Sequence, residues 1–485
     1  MPPPPWLPTL TRTIAAYAVS TIIPLPNTTT SLHISSDTIF DTLADPSCND
    51  IHHCRTLAGL VQSCLVTILA CVWYAVHRNI PAPKVDRPRH DNRFTRIVFF
   101  VWYKICTQRQ ATIILVVALV IPEWIAAWAV RQLLMARQLT KKLNQARAFA
   151  PEVSRALESD EVVRARRVAK ADGGKLKSAQ VHSQLNTRDV AWKMSHAFFI
   201  IMGGFHFFSD TGPIRPLSPE DVVKLVKLGH LVPPTNDELE SQSKGDALSK
   251  CFAIVQTLWF ILQCIARYIE HYPVTSLEVL TLAYTVITLI MYMVWWRKPL
   301  NVSCAIRVPV EELMGSEMPN DDVSSRQWIV NYIVGSQDAH VDLRRCSRVP
   351  TFWAGKPDRN LCVTGNIIAL FVAIVFGAVH CIAWSYAFQS RIEQQLWRAS
   401  AIAITAVPAT IAVVYGAVRL PCVATLKSTP TPRLLLPVLR AFYVPMALIY
   451  IMARLILIVI SFNSLRTLPF TAYQTVQWTV FAPHI

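Results

Sequence analysis

Apolar residues in this chain gather into unbroken runs, and five of the runs are long enough to cross a lipid bilayer. They cover residues 57–76, 274–296, 362–388, 399–418 and 441–460, and the only full charges inside them are Glu278 and Arg454. About 20 residues at a rise of about 1.5 Å match a hydrocarbon core about 30 Å thick. Such runs predict helices, because lipid offers no partner to a backbone N–H or C=O and a helix satisfies both internally.

Three further stretches follow the pattern less cleanly. Residues 251–269 read as an apolar helix with a polar stripe. Residues 111–136 are interrupted by Pro122-Glu123 and by Arg131. A proline there removes a helical donor and crowds the preceding turn, which predicts a segment kinked or re-entrant at Pro122. Residues 190–208 hold a shorter run that would cross back. The expected fold is an all-α polytopic transmembrane bundle of about eight segments, or six if 111–136 and 190–208 do not span.

Charge orients the layout. Residues 1–56 hold two Lys/Arg against four Asp, whereas 78–110 hold eight Lys/Arg against two. Basic residues stay on the cytoplasmic side, so residues 1–56 are expected outside or in the lumen, and the first crossing (57–77) runs inward to a basic loop at 78–110. The second segment (111–136) leads to a basic linker at 137–189. That linker is either an amphipathic surface helix or a solvated charged face. After the third segment (190–208), residues 209–250 form a cytoplasmic stretch with a short helix over 220–229 behind Ser218-Pro219. Crossings at 251–269 and 274–296 flank a tight turn, and Glu278 is expected to stay wet near its end. A cytoplasmic subdomain (297–361) follows, then crossings at 362–388, 399–418 and 441–461, and a lumenal tail at 462–485. On this layout Asn27, in Asn27-Thr28-Thr29, is the glycosylation candidate and Asn301-Val302-Ser303 stays bare. The run 14–23 after Arg12 reads as a signal peptide or as a tail lying on the membrane.

The net charge of +16 on 485 residues suggests a nucleic-acid partner at first sight. The basic residues, however, flank apolar runs, and 52% of the chain is hydrophobic. The bilayer itself, with anionic lipid headgroups on the cytoplasmic side, is the expected partner, and no nucleic acid is expected. The same features place the protein in the secretory pathway or plasma membrane. Of twelve cysteines, Cys48 and Cys54 alone share a short polar segment and form the disulfide candidate. No CxxC pair and no nucleotide or catalytic motif stands out, so no cofactor or metal is expected.

The chemistry-bearing candidates are polar groups inside apolar runs, which are costly in lipid and turn inward. Glu123, His196, His206, Gln256, Gln263, Arg267, His380 and Arg454 form this set. Helical spacing gathers Ser249, Gln256, Gln263 and Arg267 into one stripe. Tyr443, Tyr450, Arg454 and Ser461 form another, Asn366, Gly377, His380 and Trp384 a third, and His196, Gly203 and His206 a fourth. They line a polar path or pocket, or they are hydrogen bonds that hold helices together. Glu123 and Arg454 would each carry charge near mid-membrane, so Glu123 is expected to meet a basic or polar side chain, Arg454 or Arg267 above all.

Several strings resemble those of a large group of fungal multi-pass membrane proteins. They are Arg55-Thr56-Leu57 with Ser63-Cys64-Leu65, Ala70-Cys71 and His77; Pro122-Glu123; His196-Ala197-Phe198-Phe199 with Met202-Gly203-Gly204-Phe205; and the string from Ser243 to Lys250. Gln256, Trp259-Phe260, Gln263 and Arg267, and Trp295-Trp296 with Lys298-Pro299-Leu300-Asn301-Val302, extend the resemblance over roughly residues 54–305. It implies a fungal source and a helical membrane fold, and no reaction. Three classes of function stand open: a transporter-like or sensor-like bundle, a scaffolding membrane protein, and a membrane-embedded enzyme acting on lipid. The last needs a denser cluster of catalytic groups than two histidines provide.

Overall fold

The structure, a computed structural model, describes residues 54–81, 111–169, 191–209, 212–242, 246–300, 302, 304–309, 338, 341–386, 388–419 and 432–476. Asn27 and Cys48 lie outside these residues. Helices dominate: α1 (Leu57–Trp73), α2 (Ala111–Val120), α3 (Pro122–Ala169), α4 (Met194–Ile201), α5 (Pro219–Lys227) and α6 (Asn236–Gln242). They continue with α7 (Asp246–Ile269), α8 (Ser276–Trp295), α9 (Arg359–His380), α10 (Arg391–Arg419) and α11 (Pro432–Asn463). Six stretches are long and apolar enough to cross a membrane: Leu57–Tyr74, Lys250–Ile269, Ser276–Trp295, Asn360–Ser385, Arg391–Ala417 and Ala441–Thr467.

The fourth of the long helices along the described chain, α8, is the hub. It touches α1, α3, α7, α9 and α11. Within its apolar span 67% of residues are buried, against 28–44% in the other five. A helix apolar on every side belongs in the interior, and α8 has that composition. Its start is set by a reciprocal cap: the Thr275 hydroxyl accepts from the Glu278 N–H, and the Glu278 carboxylate accepts from the Thr275 N–H. Glu278 is therefore buried, contrary to the expectation that it stays wet; only 4% of it is exposed.

The break at Pro122 is more than a kink. The arms Ala111–Val120 and Pro122–Ala150 diverge by 109° at Ile121, too sharply for one straight crossing. Pro122 offers no N–H, and the turn that begins there takes the Glu123 N–H away from the Leu119 carbonyl. The Tyr284 hydroxyl of α8 donates to that carbonyl instead. Beyond the bend α3 runs for 48 residues. Its buried Ile125, Trp128 and Ala129 face the hub, whereas Leu139, Leu143 and Ala146 support a second body.

That body contains a sheet, which the all-α expectation did not include. Strands β1 (Phe205–Ser209), β2 (Gly212–Pro216) and β3 (Ile306–Pro309) lie in the order β2-β1-β3, antiparallel then parallel. The membrane-length helix expected over 190–208 is replaced by α4, of 8 residues, followed by β1. At about 1.5 Å per residue α4 spans about 12 Å, less than half a bilayer core. Met202-Gly203-Gly204 ends it rather than packing a helix contact. Gly203 has φ +89°, and a Cβ there would fall 2.7 Å from Val349. The short helix expected over 220–229 is α5, which begins at Pro219 behind a Ser218–Asp221 capping box.

Candidate functional site

Three polar clusters sit inside the fold, at the two ends of α8 and at its middle.

The middle one joins α3, α8, α9 and α11. Pro122 starts α3 there and delivers Glu123, 7% exposed, into the interior. On α11, Tyr450, Arg454 and Ser461 share the buried face that their spacing predicts. Arg454 is fully buried and donates from Nη1 to His380 Nε2 at 2.9 Å. His380 Nδ1 lies 3.0 Å from the Phe376 carbonyl, so its proton sits on Nδ1 and Nε2 accepts. The guanidinium carbon stands 4.2 Å from the Phe376 ring centroid and 5.2 Å from that of Tyr284. The positive Arg454 guanidinium and the Tyr450 hydroxyl are the side-chain groups that act on Glu123. Neither reaches hydrogen-bond geometry, however: both Glu123 oxygens, the Tyr450 hydroxyl, and Arg454 Nε and Nη2 have no partner among the described residues. The site lies where two apolar cores meet, one gathering Tyr284 and Phe376, the other Tyr450, Ala453 and Leu457.

The Arg55 end of α8 holds an ion pair that fixes the chain's two distant segments. Arg55 grips Glu278 through both terminal nitrogens and donates from Nε to the Ala472 carbonyl at 2.8 Å. Arg267 donates to the carbonyls of Gln474 (2.6 Å), Pro273 (2.8 Å) and Ala472 (3.2 Å). Cys54 bridges to Gln474 through the backbone and is disulfide-bonded. Arg267 is thus a clamp on the turn after α11, not a partner of Glu123.

At the other end, Lys298 is 1% exposed. Its ammonium donates to the His77 carbonyl and to Gln132 Oε1 at 2.7 Å, and stands 4.6 Å and 4.3 Å from the rings of Trp128 and Trp295. Gln132 in turn accepts from Trp295 Nε1 (3.1 Å) and donates to the Trp353 carbonyl (2.8 Å). Burial pushes the Lys298 ammonium well below the ordinary lysine value, and burial with the positive neighbours Lys250 and Lys298 does the same to the His77 imidazole. Nearby, Arg131 faces Asp338 at 3.6 Å, and Asp338 accepts the Ala354 N–H at 2.9 Å. Burial raises the Asp338 carboxyl to about 6, although Arg131 pulls the other way.

A stability prediction follows from Asp338. Its folded value lies above the unfolded value of about 3.9, so its favourable contribution is complete below about pH 3.9 and is lost as pH rises through 6. The cost at neutral pH is about 3 kcal/mol, so Asp338→Asn is expected to flatten this pH dependence of unfolding in detergent. An unchanged slope between pH about 4 and about 6 in the variant would contradict it.

The sequence-predicted candidates thus divide. Glu123, His380 and Arg454 come together; Arg267 goes to the Arg55 end. Gln256 donates to the Thr67 hydroxyl of α1 at 3.0 Å and Gln263 is half-buried, so the stripe drawn through them marks an edge. The buried face of α7 is Ala253, Thr257, Phe260, Cys264 and Arg267. Trp384 is exposed beyond the end of α9. His196 and His206 belong to the sheet body rather than to the bundle. His196 Nδ1 accepts the Lys193 N–H at 3.0 Å, and burial lowers both imidazoles. Lys298 enters the sequence reading only within the string Lys298-Pro299-Leu300-Asn301-Val302, and Trp128, Gln132 and Asp338 do not enter it as candidates. The signal available was Lys298 two residues past a tryptophan pair, outwardly one more charge of a basic loop. Among the described residues no three His, Cys, Asp or Glu stand close enough to hold a metal ion.

The chain belongs to a family of unknown function, DUF8562, whose model matches residues 43–351 and 362–485. No curated protein and no solved structure matches it.

Proposed function

We propose that this member of the family is an integral membrane protein of transporter-like or sensor-like type, with Glu123, Arg454 and His380 as its working groups. Support for the membrane comes from the outer helix faces. α7 leaves Phe252, Val255, Leu258, Leu262, Ile265 and Ile269 exposed, and α11 leaves Leu448, Met452 and Val459 exposed. Soluble monomers rarely expose contiguous apolar patches beyond a few hundred Å², whereas lipid tails cover such faces at no cost. With the Arg55 end outward and the Lys298 end cytoplasmic, the basic loops fall on the expected side.

One observation carries the functional part. Among the described residues, five buried polar atoms of Glu123, Tyr450 and Arg454 lack a protein partner at the seam between two cores. Side chains that only glue helices together satisfy one another; these leave capacity for water, a proton or a small polar solute. A scaffolding reading draws support from the length of α3, which extends from the bundle to the sheet body, and it predicts an inert cluster. Infrared difference spectra of the protein in lipid nanodiscs separate the two. As pH is changed, a carboxyl band is expected that Glu123→Gln removes and Arg454→Met shifts. No pH-dependent band from Glu123 would reduce the cluster to glue.

A further inference from the structure

A groove of about 470 Å³ opens where the Lys298 end of α8 meets α3 and α4. Leu133, Met194 and Val294 line it as half-buried apolar side chains. Met293 (70% exposed), Trp296 (64% exposed), Arg137 and Arg297 form its open side. The size suits a ligand site, for which about 300–1,000 Å³ is usual. Among the described residues neither Arg137 nor Arg297 has a hydrogen bond or ion pair, and none of those that line the groove is acidic. Two guanidiniums with no acidic partner among the described residues, beside an apolar trough, match a molecule with an anionic head and a hydrocarbon tail. Its location fits too, since Trp296 and Arg297 directly follow the apolar span Ser276–Trp295, at the depth of headgroups.

We propose that this groove is a binding site for one anionic phospholipid. Its phosphate bonds Arg137 and Arg297, whose planar forks suit a phosphate's oxygens, and one acyl chain lies along Met293 and Val294. The site rests on the reading that the helices span a membrane. A water-soluble phosphate ester would use the guanidiniums and leave the trough empty, so the lipid is the occupant that both halves of the site recognise.

The test is native mass spectrometry of the full chain in neutral detergent, titrated with phosphatidylglycerol, with vesicle flotation alongside. Each arginine near a headgroup is worth about fivefold in affinity, so Arg137→Gln with Arg297→Gln is expected to weaken phosphatidylglycerol about thirtyfold and leave phosphatidylcholine unchanged. Arg466→Gln, at the far end, should change it less than about twofold. The double variant's unfolding midpoint shows whether it is folded, and both residues are exposed, so it should match the parent. Unchanged phosphatidylglycerol affinity in a folded, floating double variant would overturn the site alone. Glycerol phosphate competing as well as the lipid would overturn the lipid as occupant. A parent protein that fails to float with vesicles would overturn the membrane reading and the site together.

Discussion

Lys298→Ala is expected to destabilise the folded protein by about 4 kcal/mol, read by equilibrium unfolding in mixed micelles. The long aliphatic stem fills the space between Trp128 and Trp295, and truncating a buried side chain of that size costs about 2–5 kcal/mol. The head adds a further loss, because the His77 carbonyl is left without the ammonium that it accepts from, and an orphaned buried acceptor costs about 1–3 kcal/mol. Against this stands the relief of burying a cation with no carboxylate beside it among the described residues, which trims the total. Lys298→Met keeps the stem and is expected to recover most of the stability. The two forms then differ in pH response. Burial holds Lys298 below the ordinary lysine value of about 10.4, so between the two values the unfolded chain binds the proton and the folded chain does not. Stability of the parent therefore rises with pH through that window, and Lys298→Met should lose that rise. An alanine variant within about 1 kcal/mol of the parent would show that the residue holds nothing together.

What the sequence disclosed depended on whether a residue's neighbours along the chain were also its neighbours in space. The helix of residues 276–295 was legible because every turn is apolar, and Tyr450, Arg454 and Ser461 fell on one buried face because helical spacing alone puts them there. Pro122 announced the bend, since the missing donor is a local fact; its 109° was not local, and depends on Tyr284 accepting the duty of capping Leu119. Phe205-His206-Phe207-Phe208 misled because a short apolar run has the same composition in a strand and in a helix. Its pairing with Ile306–Pro309 is set about a hundred residues away. Lys298 was hidden for the same reason. A lysine beside a helix end reads as a solvated charge until His77, Trp128 and Gln132 are brought around it from two other segments.

Arg454→Met is expected to cost about 3–5 kcal/mol, more than Glu123→Leu, and the pair replaced together is expected to cost less than the sum. The asymmetry comes from what each charge keeps when the other is gone. Without Glu123, the guanidinium still donates to His380 Nε2 and still lies over Phe376 and Tyr284. A desolvated cation over a ring gains about 2 kcal/mol. Without Arg454, Glu123 is a buried carboxylate facing the Tyr450 hydroxyl, with neither oxygen hydrogen-bonded among the described residues. It must then protonate or draw in water, and either route taxes folding. Replacing both removes two burial costs at once, so a coupling of about 2 kcal/mol is expected from the double-mutant cycle. Glu123→Gln keeps shape and hydrogen-bonding capacity and should be mild in stability, which lets the infrared test be made on a folded protein. If the single losses add with no coupling, Glu123 and Arg454 do not sense each other. The seam between the two cores would then be held by His380 and the rings alone, and the carboxylate would have no part in it.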